Sequence, residues 1–112
     1  DLAFIQHILG SIRAIEDFSK NMSKKELISN RLKQSAIIRE IEIIGEAVKN
    51  ISGKLKRKHR NIEWKEIVGT RDKMIHHYFG VDLNIVWDII KKDIPILKKN
   101  VTKIKNELSK SK

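Results

Sequence analysis

The sequence predicts an all-α domain: an antiparallel up-and-down four-helix bundle with one additional short helix. Three observations carry this. Apolar residues recur every three or four positions through most of the 112 residues, and no stretch alternates cleanly with period two. Proline occurs once and glycine five times, so little breaks a helix. The connections between periodic stretches are short, which sets successive helices antiparallel. At this length residues 1–112 form one domain with one core.

The first helix runs from about Leu2 to Ser19, with Asp1 as its cap and Ile5, Ile8, Leu9, Ile12 and Ile15 as its stripe. Asn21-Met22-Ser23 breaks the chain, and Ser23 with Glu26 forms a capping box. The second helical region spans about Lys24 to Ile51, with a short helix to Asn30 set off by a bend. Its long part carries Ile37, Ile41, Ile44, Val48 and Ile51, and Ile38 and Ile43 widen the stripe enough to touch neighbours on more than one side. Gly45 inside it costs about 1 kcal/mol relative to alanine, which a close helix contact would explain. Ser52-Gly53 closes this region. Asn61 then caps a helix through Trp64, Ile67, Val68, Met74, Ile75 and Phe79, ended by Gly80. Asp82 caps a short helix with Val86, Trp87, Ile89 and Ile90. Asp93 caps the last one, where Pro95 falls in the first turn and Leu97, Val101, Ile104 and Leu108 form the stripe.

Charge is the informative bulk property. Lys and Arg number 24 and Asp and Glu 14, a formal net charge of +10. That favours a polyanionic partner, RNA or DNA above all, although lysines spread over helix faces also serve solubility alone. The basic run Lys54 to Arg60 concentrates the charge, with Lys56, Arg57, Lys58 and Arg60 as candidate phosphate contacts in a loop. Cysteine is absent, which excludes disulfides and thiolate metal sites and permits an intracellular, cytoplasmic setting. No apolar run approaches the roughly 20 residues of a membrane span, and no signal-peptide pattern opens the chain, so no membrane partner is expected. The first residue is Asp1 rather than Met, which leaves room for residues ahead of it.

Catalytic signatures are sparse: no Gly-rich phosphate loop, no His-Glu-x-x-His and no nucleophile elbow. His76 and His77 would point about 100° apart on a helix and could not share a metal, so neither a metal nor another cofactor is expected. RNA cleavage needs neither. It needs a group of near-neutral pKa to move the 2′-hydroxyl proton and a cation at the phosphate. Histidine, at about 6.5, suits the first role, and the arginine fork suits the second. His76 and Arg71 are therefore the candidate catalytic pair. Asp72 lies four residues before His76 and could orient its imidazole from the same helix face. Five residues on an ideal helix set Arg71 and His76 about 140° apart, so convergence calls for a distortion or for two motif helices in a two-fold dimer. Alternatively, Arg71 could pair with a carboxylate such as Glu42 or Glu46, and Tyr78 could be a core aromatic.

The stretch Gly69 to Gly80 reads Gly-Thr-Arg-Asp-Lys-Met-Ile-His-His-Tyr-Phe-Gly. Arg71, four residues, His76, one residue, Tyr78 resembles the motif of HEPN-domain toxins of the HepT type, small all-helical ribonucleases. Ile-Glu-Ile-Ile-Gly-Glu-Ala-Val at 41–48 resembles that family's second helical block, and 78–87 with Asp-Ile-Pro-Ile-Leu at 93–97 resembles its C-terminal block. The resemblance implies the toxin of a type VII-like toxin–antitoxin pair: a homodimeric, metal-independent endoribonuclease with a composite Arg/His site at the dimer interface. It also implies an MntA-like minimal nucleotidyltransferase antitoxin, which silences the enzyme by adenylylating the motif tyrosine, here Tyr78. Where the family commonly carries Asn or another polar residue after the arginine, this chain has Asp72. Two other readings compete: a non-catalytic HEPN subunit that holds substrate for a nucleotidyltransferase, and a non-specific nucleic-acid-binding bundle.

Overall fold

Helix α1, Leu2–Ser19, buries Ile5, Ile8, Leu9, Ile12 and Ile15, the stripe expected from their spacing. The computed structural model describes residues 1–76 and 80–110, the backbone alone for His76. Asp1 stands at the start of α1 without capping it. Its carboxylate instead accepts from the Ser52 amide at 2.9 Å and from the Ser52 hydroxyl at 2.6 Å. At the other end, Asn21 turns the chain in the left-handed region at φ 58°, which asparagine tolerates better than most residues.

Ser23 caps α2, Lys24–Ser29, by accepting from the Glu26 amide at 3.1 Å. The expected bend falls at Asn30, whose side chain caps α3, Arg31–Lys49, by accepting from the Lys33 amide at 3.0 Å. Gln34 fastens the bend by donating to the carbonyls of Leu27 and Ile28. Ile37, Ile41, Ile44, Val48 and Ile51 are all buried, and Ile38 packs at the margin of the core. The Asp1–Ser52 link joins the start of α1 to the chain just past the end of α3, so the two helices run antiparallel. Gly45 does lie where α3 meets the next layer, but a methyl group there would sit 3.6 Å from the Ile67 carbonyl oxygen, an ordinary contact. Close approach therefore does not require glycine at this position, and nothing in the structure explains it.

The C-terminal third differs from the expected layout of two separately capped helices. Asp82 caps α7, Leu83–Asp88, by accepting from the Asn84 and Ile85 amides. Asp93, however, starts no new helix. A π turn over Ile89–Asp93 carries the chain straight into α8, Ile94–Lys110. Pro95 supplies the physical reason, because inside a helix its ring clashes with the carbonyl four residues back and it donates no hydrogen bond. The wider turn accommodates it, and the Ile94 amide reaches back five residues to the Ile89 carbonyl. Lys98, near the start of α8, pairs with Glu16, near the end of α1, at 2.9 Å, so α8 is also antiparallel to α1.

The motif segment is the largest departure. The single helix expected from Asn61 to Gly80 is two short ones, α5 (Trp64–Val68) and α6 (Thr70–Met74), joined at Gly69. Glu63 rather than Asn61 precedes α5, and its side chain makes no cap. After Met74 the backbone becomes extended, and β1 (Ile75–His76) pairs antiparallel with β2 (Gly80–Val81), Ile75 opposite Val81 and His76 opposite Gly80. Gly80 takes φ +76°, a conformation that favours glycine. These paired dipeptides are the only strands among the described residues, so the all-α class stands. The fourth rod of the bundle is instead a pair of short helices and a small ladder. Met74 is fully buried and pins α6 to the core, and α5 packs on α3 through Ile67 and Val68 around Gly45.

Candidate active site

Arg71 sits in the first turn of α6 and points to α3, where its Nε donates to Glu42 Oε2 at 2.9 Å. Of the two open partners, Glu42 is the one chosen. The arginine side chain is 61% exposed and the glutamate 29%, so the pair contributes on the order of 0–1 kcal/mol to stability. Its consequence is geometric. With Nε occupied, both terminal nitrogens remain to face an incoming phosphate.

The other motif residues stand differently. His76 is placed by its backbone, in the ladder opposite Gly80. Asp72 is exposed in α6, but the helix ends at Met74, so the four-residue relation that would set it under the His76 imidazole does not exist. The 140° separation of Arg71 and His76 on one helix lapses for the same reason. Tyr78 lies outside the described residues.

The basic run is a helix, not a loop. The Ser52 hydroxyl caps α4, Gly53–Lys58, by accepting from the Leu55 amide at 3.2 Å, and Leu55 is buried beneath it. Arg57, Lys58 and Arg60 are exposed, while Lys56 is half-buried. Lys58 lies 3.9 Å from Glu107 of α8, and the adjoining His59 lies 3.1 Å from the same carboxylate. Because Ser52 also holds Asp1, α4 stands at the end of the bundle where α1 begins and α3 ends.

At that end, a cleft of about 560 Å³ opens beside Arg71. Its floor is one face of α3, from Arg39 through Glu42 and Glu46 to Lys49 and Asn50, and its wall is Phe4 and His7 of α1. The sequence reading did not single out these residues apart from Glu42 and Glu46. The available signal was Phe4 and His7 three apart on α1, off its apolar stripe.

A second cavity of about 450 Å³ lies on the opposite side of α6, with Ile41, Ile44 and Ile89 among its apolar lining and Glu63, Glu66, Asp88 and Asp93 on its rim. Asp93 and Glu63 hold their protons more tightly than carboxyl groups ordinarily do. Asp93 is pushed up by burial first, with Asp88 and Glu66 adding repulsion and Lys73 and Lys92 opposing it. Glu63 is raised chiefly by its hydrogen bond and repulsion with Glu66. Among the described residues, no three His, Asp or Glu side chains lie close enough to hold a metal ion. No helix among them is long and apolar enough to cross a membrane.

Comparison with known proteins decides the family. The model of the HepT-like ribonucleases matches residues 8–104. The chain belongs to the HepT-like ribonuclease family. A protein of Thermococcus cleftensis named "Probable ribonuclease HepT" is 41% identical over 102 residues, covering 91% of this chain and 93% of its own. A Methanocaldococcus jannaschii protein named "Gamma-glutamylcyclotransferase and putative RNase" is 45% identical over 109 residues. The match covers 97% of this chain but only 49% of that longer protein. No solved structure matches the chain at the same stringency.

Proposed function

We propose that this chain is a metal-independent endoribonuclease, the toxin of a type VII-like toxin–antitoxin pair, working through Arg71 and His76. The observation that carries the reading is Arg71: its Nε is tied to Glu42 and its terminal nitrogens are left for a phosphate at the cleft. In the reaction the 2′-oxygen bonds to the adjacent phosphorus and the bond to the 5′-oxygen breaks. His76 takes the 2′-hydroxyl proton, water gives one to the departing 5′-oxygen, and Arg71 neutralises charge growing on the non-bridging oxygens. Since one chain offers one such pair, the reading includes a homodimer whose two copies share the site. Tyr78, two residues from His76, is the adenylylation target of an MntA-like nucleotidyltransferase antitoxin.

The decisive experiment is cleavage of single-stranded RNA with product analysis. Fragments should end in a cyclic phosphate and begin with a 5′-hydroxyl, and EDTA should leave the rate unchanged. Arg71→Ala and His76→Ala should each lower the rate by at least about a hundredfold while helical content and Tm stay near those of the unsubstituted protein. Full activity in His76→Ala would remove His76 from the mechanism, and absence of cleavage by the unsubstituted protein would replace this reading with that of a substrate-holding subunit. Strong inhibition by EDTA would demand a metal mechanism.

A further inference from the structure

The cleft beside Arg71 carries more than a phosphate contact needs. Arg39, Glu42, Glu46 and Lys49 recur on one face of α3 at spacings of three, four and three, so the cleft runs along the helix for about 15 Å from Arg39 to Lys49. Arg39 lies one turn from the Arg71–Glu42 pair and is exposed, with no ion pair among the described residues. The wall opposite is aromatic. The Phe4 and His7 rings have centroids 6.2 Å apart and stand at 90° to each other. A flat base stacked on either ring would meet the other edge-on, and both geometries are favourable between π systems. Phe4 is half-buried and packed on the core, which fixes the corner in place.

Glu42 is paired with Arg71 and Glu46 lies 3.7 Å from Lys49, which leaves Arg39 as the uncompensated cation of that helix face among the described residues. With an aromatic corner opposite and a volume of about 560 Å³, the cleft suits a nucleotide unit with its phosphate toward α3 and its base toward α1. We infer that Phe4 and His7 form a stacking platform for one base of single-stranded RNA, whose backbone is held along α3 by Arg39 and Arg71. The inference rests on the ribonuclease reading and deepens it. The platform selects unpaired RNA, because a base within a duplex cannot reach it without leaving its stack.

The test uses fluorescence anisotropy with a labelled 2′-fluoro hexanucleotide, which lacks the attacking hydroxyl and cannot be cleaved. A matched set carries one abasic site at each position in turn. For the unsubstituted protein, one position should weaken binding by about fivefold or more when its base is removed. In Phe4→Leu, which keeps the apolar contact with the core, and in His7→Ala, at an exposed site, that penalty should vanish. The intact hexamer should then bind as weakly as the abasic one. Arg39→Ser should instead weaken every hexamer alike and reduce the salt slope by roughly one unit. A flat abasic profile in the unsubstituted protein, or the same penalty in both ring variants, overturns the platform. Cleavage of the matching unmodified hexamer separates the two ideas. Cleavage with a flat profile sinks the platform alone, whereas a base-dependent profile without cleavage sinks the ribonuclease reading alone.

Discussion

At the scale of single residues, Glu42 and Asp93 show carboxylates in opposite situations. Glu42 engages the Nε of Arg71, and among the described residues no hydrogen bond or ion pair takes up the terminal nitrogens. Being largely solvated, the pair adds little stability, so Glu42→Ala should shift Tm by no more than a few degrees. The rate of RNA cleavage should nonetheless fall, on the order of tenfold, because the arginine loses its orientation. Glu42→Gln should recover part of that loss by accepting the same hydrogen bond. A faster Glu42→Ala enzyme would mean that the carboxylate competes with phosphate instead. Asp93 has the reverse role. Its folded-state pKa is raised, so the folded protein binds that proton more tightly than the unfolded chain does. Stability from this group is full below the ordinary aspartate pKa and is lost as pH rises through the raised value. Asp93→Asn should therefore raise Tm at pH 7, by on the order of a degree or two, and the gain should disappear in acid below the ordinary carboxylate range. Thermal melts at two pH values check this, and an equal gain at both would assign the effect to packing.

At the scale of elements, what the sequence made legible follows from which forces act alone. The stripes of α1, α3 and α8 were readable because each helix buries one face, and that demand writes itself at spacings of three and four. The bend at Asn30 was legible as a break between a short helix and a long one, and its cap emerged only in the structure. The motif segment was not. Met74 and Ile75 continue the helical rhythm in sequence, yet Ile75 pairs with Val81 in a ladder that only tertiary contact can stabilise. The π turn was hidden for a related reason, since Pro95 after Asp93 reads as a helix start as naturally as it reads as a bulge. Arg71 and Tyr78 stood out only through the motif, and the Phe4–His7 wall emerges only when α1 meets α3. Helix α4 lies between these cases: its charge was obvious, its helical form was not. Arg57 on α4 and Arg60 just past its end are the exposed arginines of the run, whereas Lys58 already approaches Glu107. Neutralising Lys56, Arg57, Lys58 and Arg60 together should weaken RNA binding and flatten its dependence on salt, by roughly one unit of slope per lost phosphate contact. Arg57 and Arg60 should account for most of the change. An unchanged slope would reduce the run to a solvated surface.

At the scale of the whole molecule, a chain with net charge +10 and an exposed arginine at an open cleft calls for a restraint on where it cuts, and the proposed restraint acts on Tyr78. On the proposed reading, an AMP attached to its hydroxyl would bring a phosphodiester to a residue two positions from His76 in sequence and so compete with substrate phosphate. Arg71 would pair with that anion and become unavailable to RNA, while the adenosine fills space the substrate needs. Silencing by this route requires no unfolding and no lasting complex with the antitoxin. It also predicts a specific escape, because Tyr78→Phe keeps the ring and removes only the acceptor oxygen. This variant should fold with unchanged helical content and cleave RNA, with some loss of rate if the hydroxyl also touches substrate. It should remain active after incubation with ATP and the cognate nucleotidyltransferase, while the unsubstituted protein loses activity under the same conditions. Mass spectrometry of the treated protein should locate the added AMP on the peptide containing Tyr78, and sedimentation should show a dimer before and after modification. AMP on another residue, or silencing that persists in Tyr78→Phe, would remove the regulatory role and leave cleavage by Arg71 and His76 to stand on its own test. A protein that sediments as a monomer at micromolar concentration yet cleaves RNA would instead place both catalytic groups within one chain.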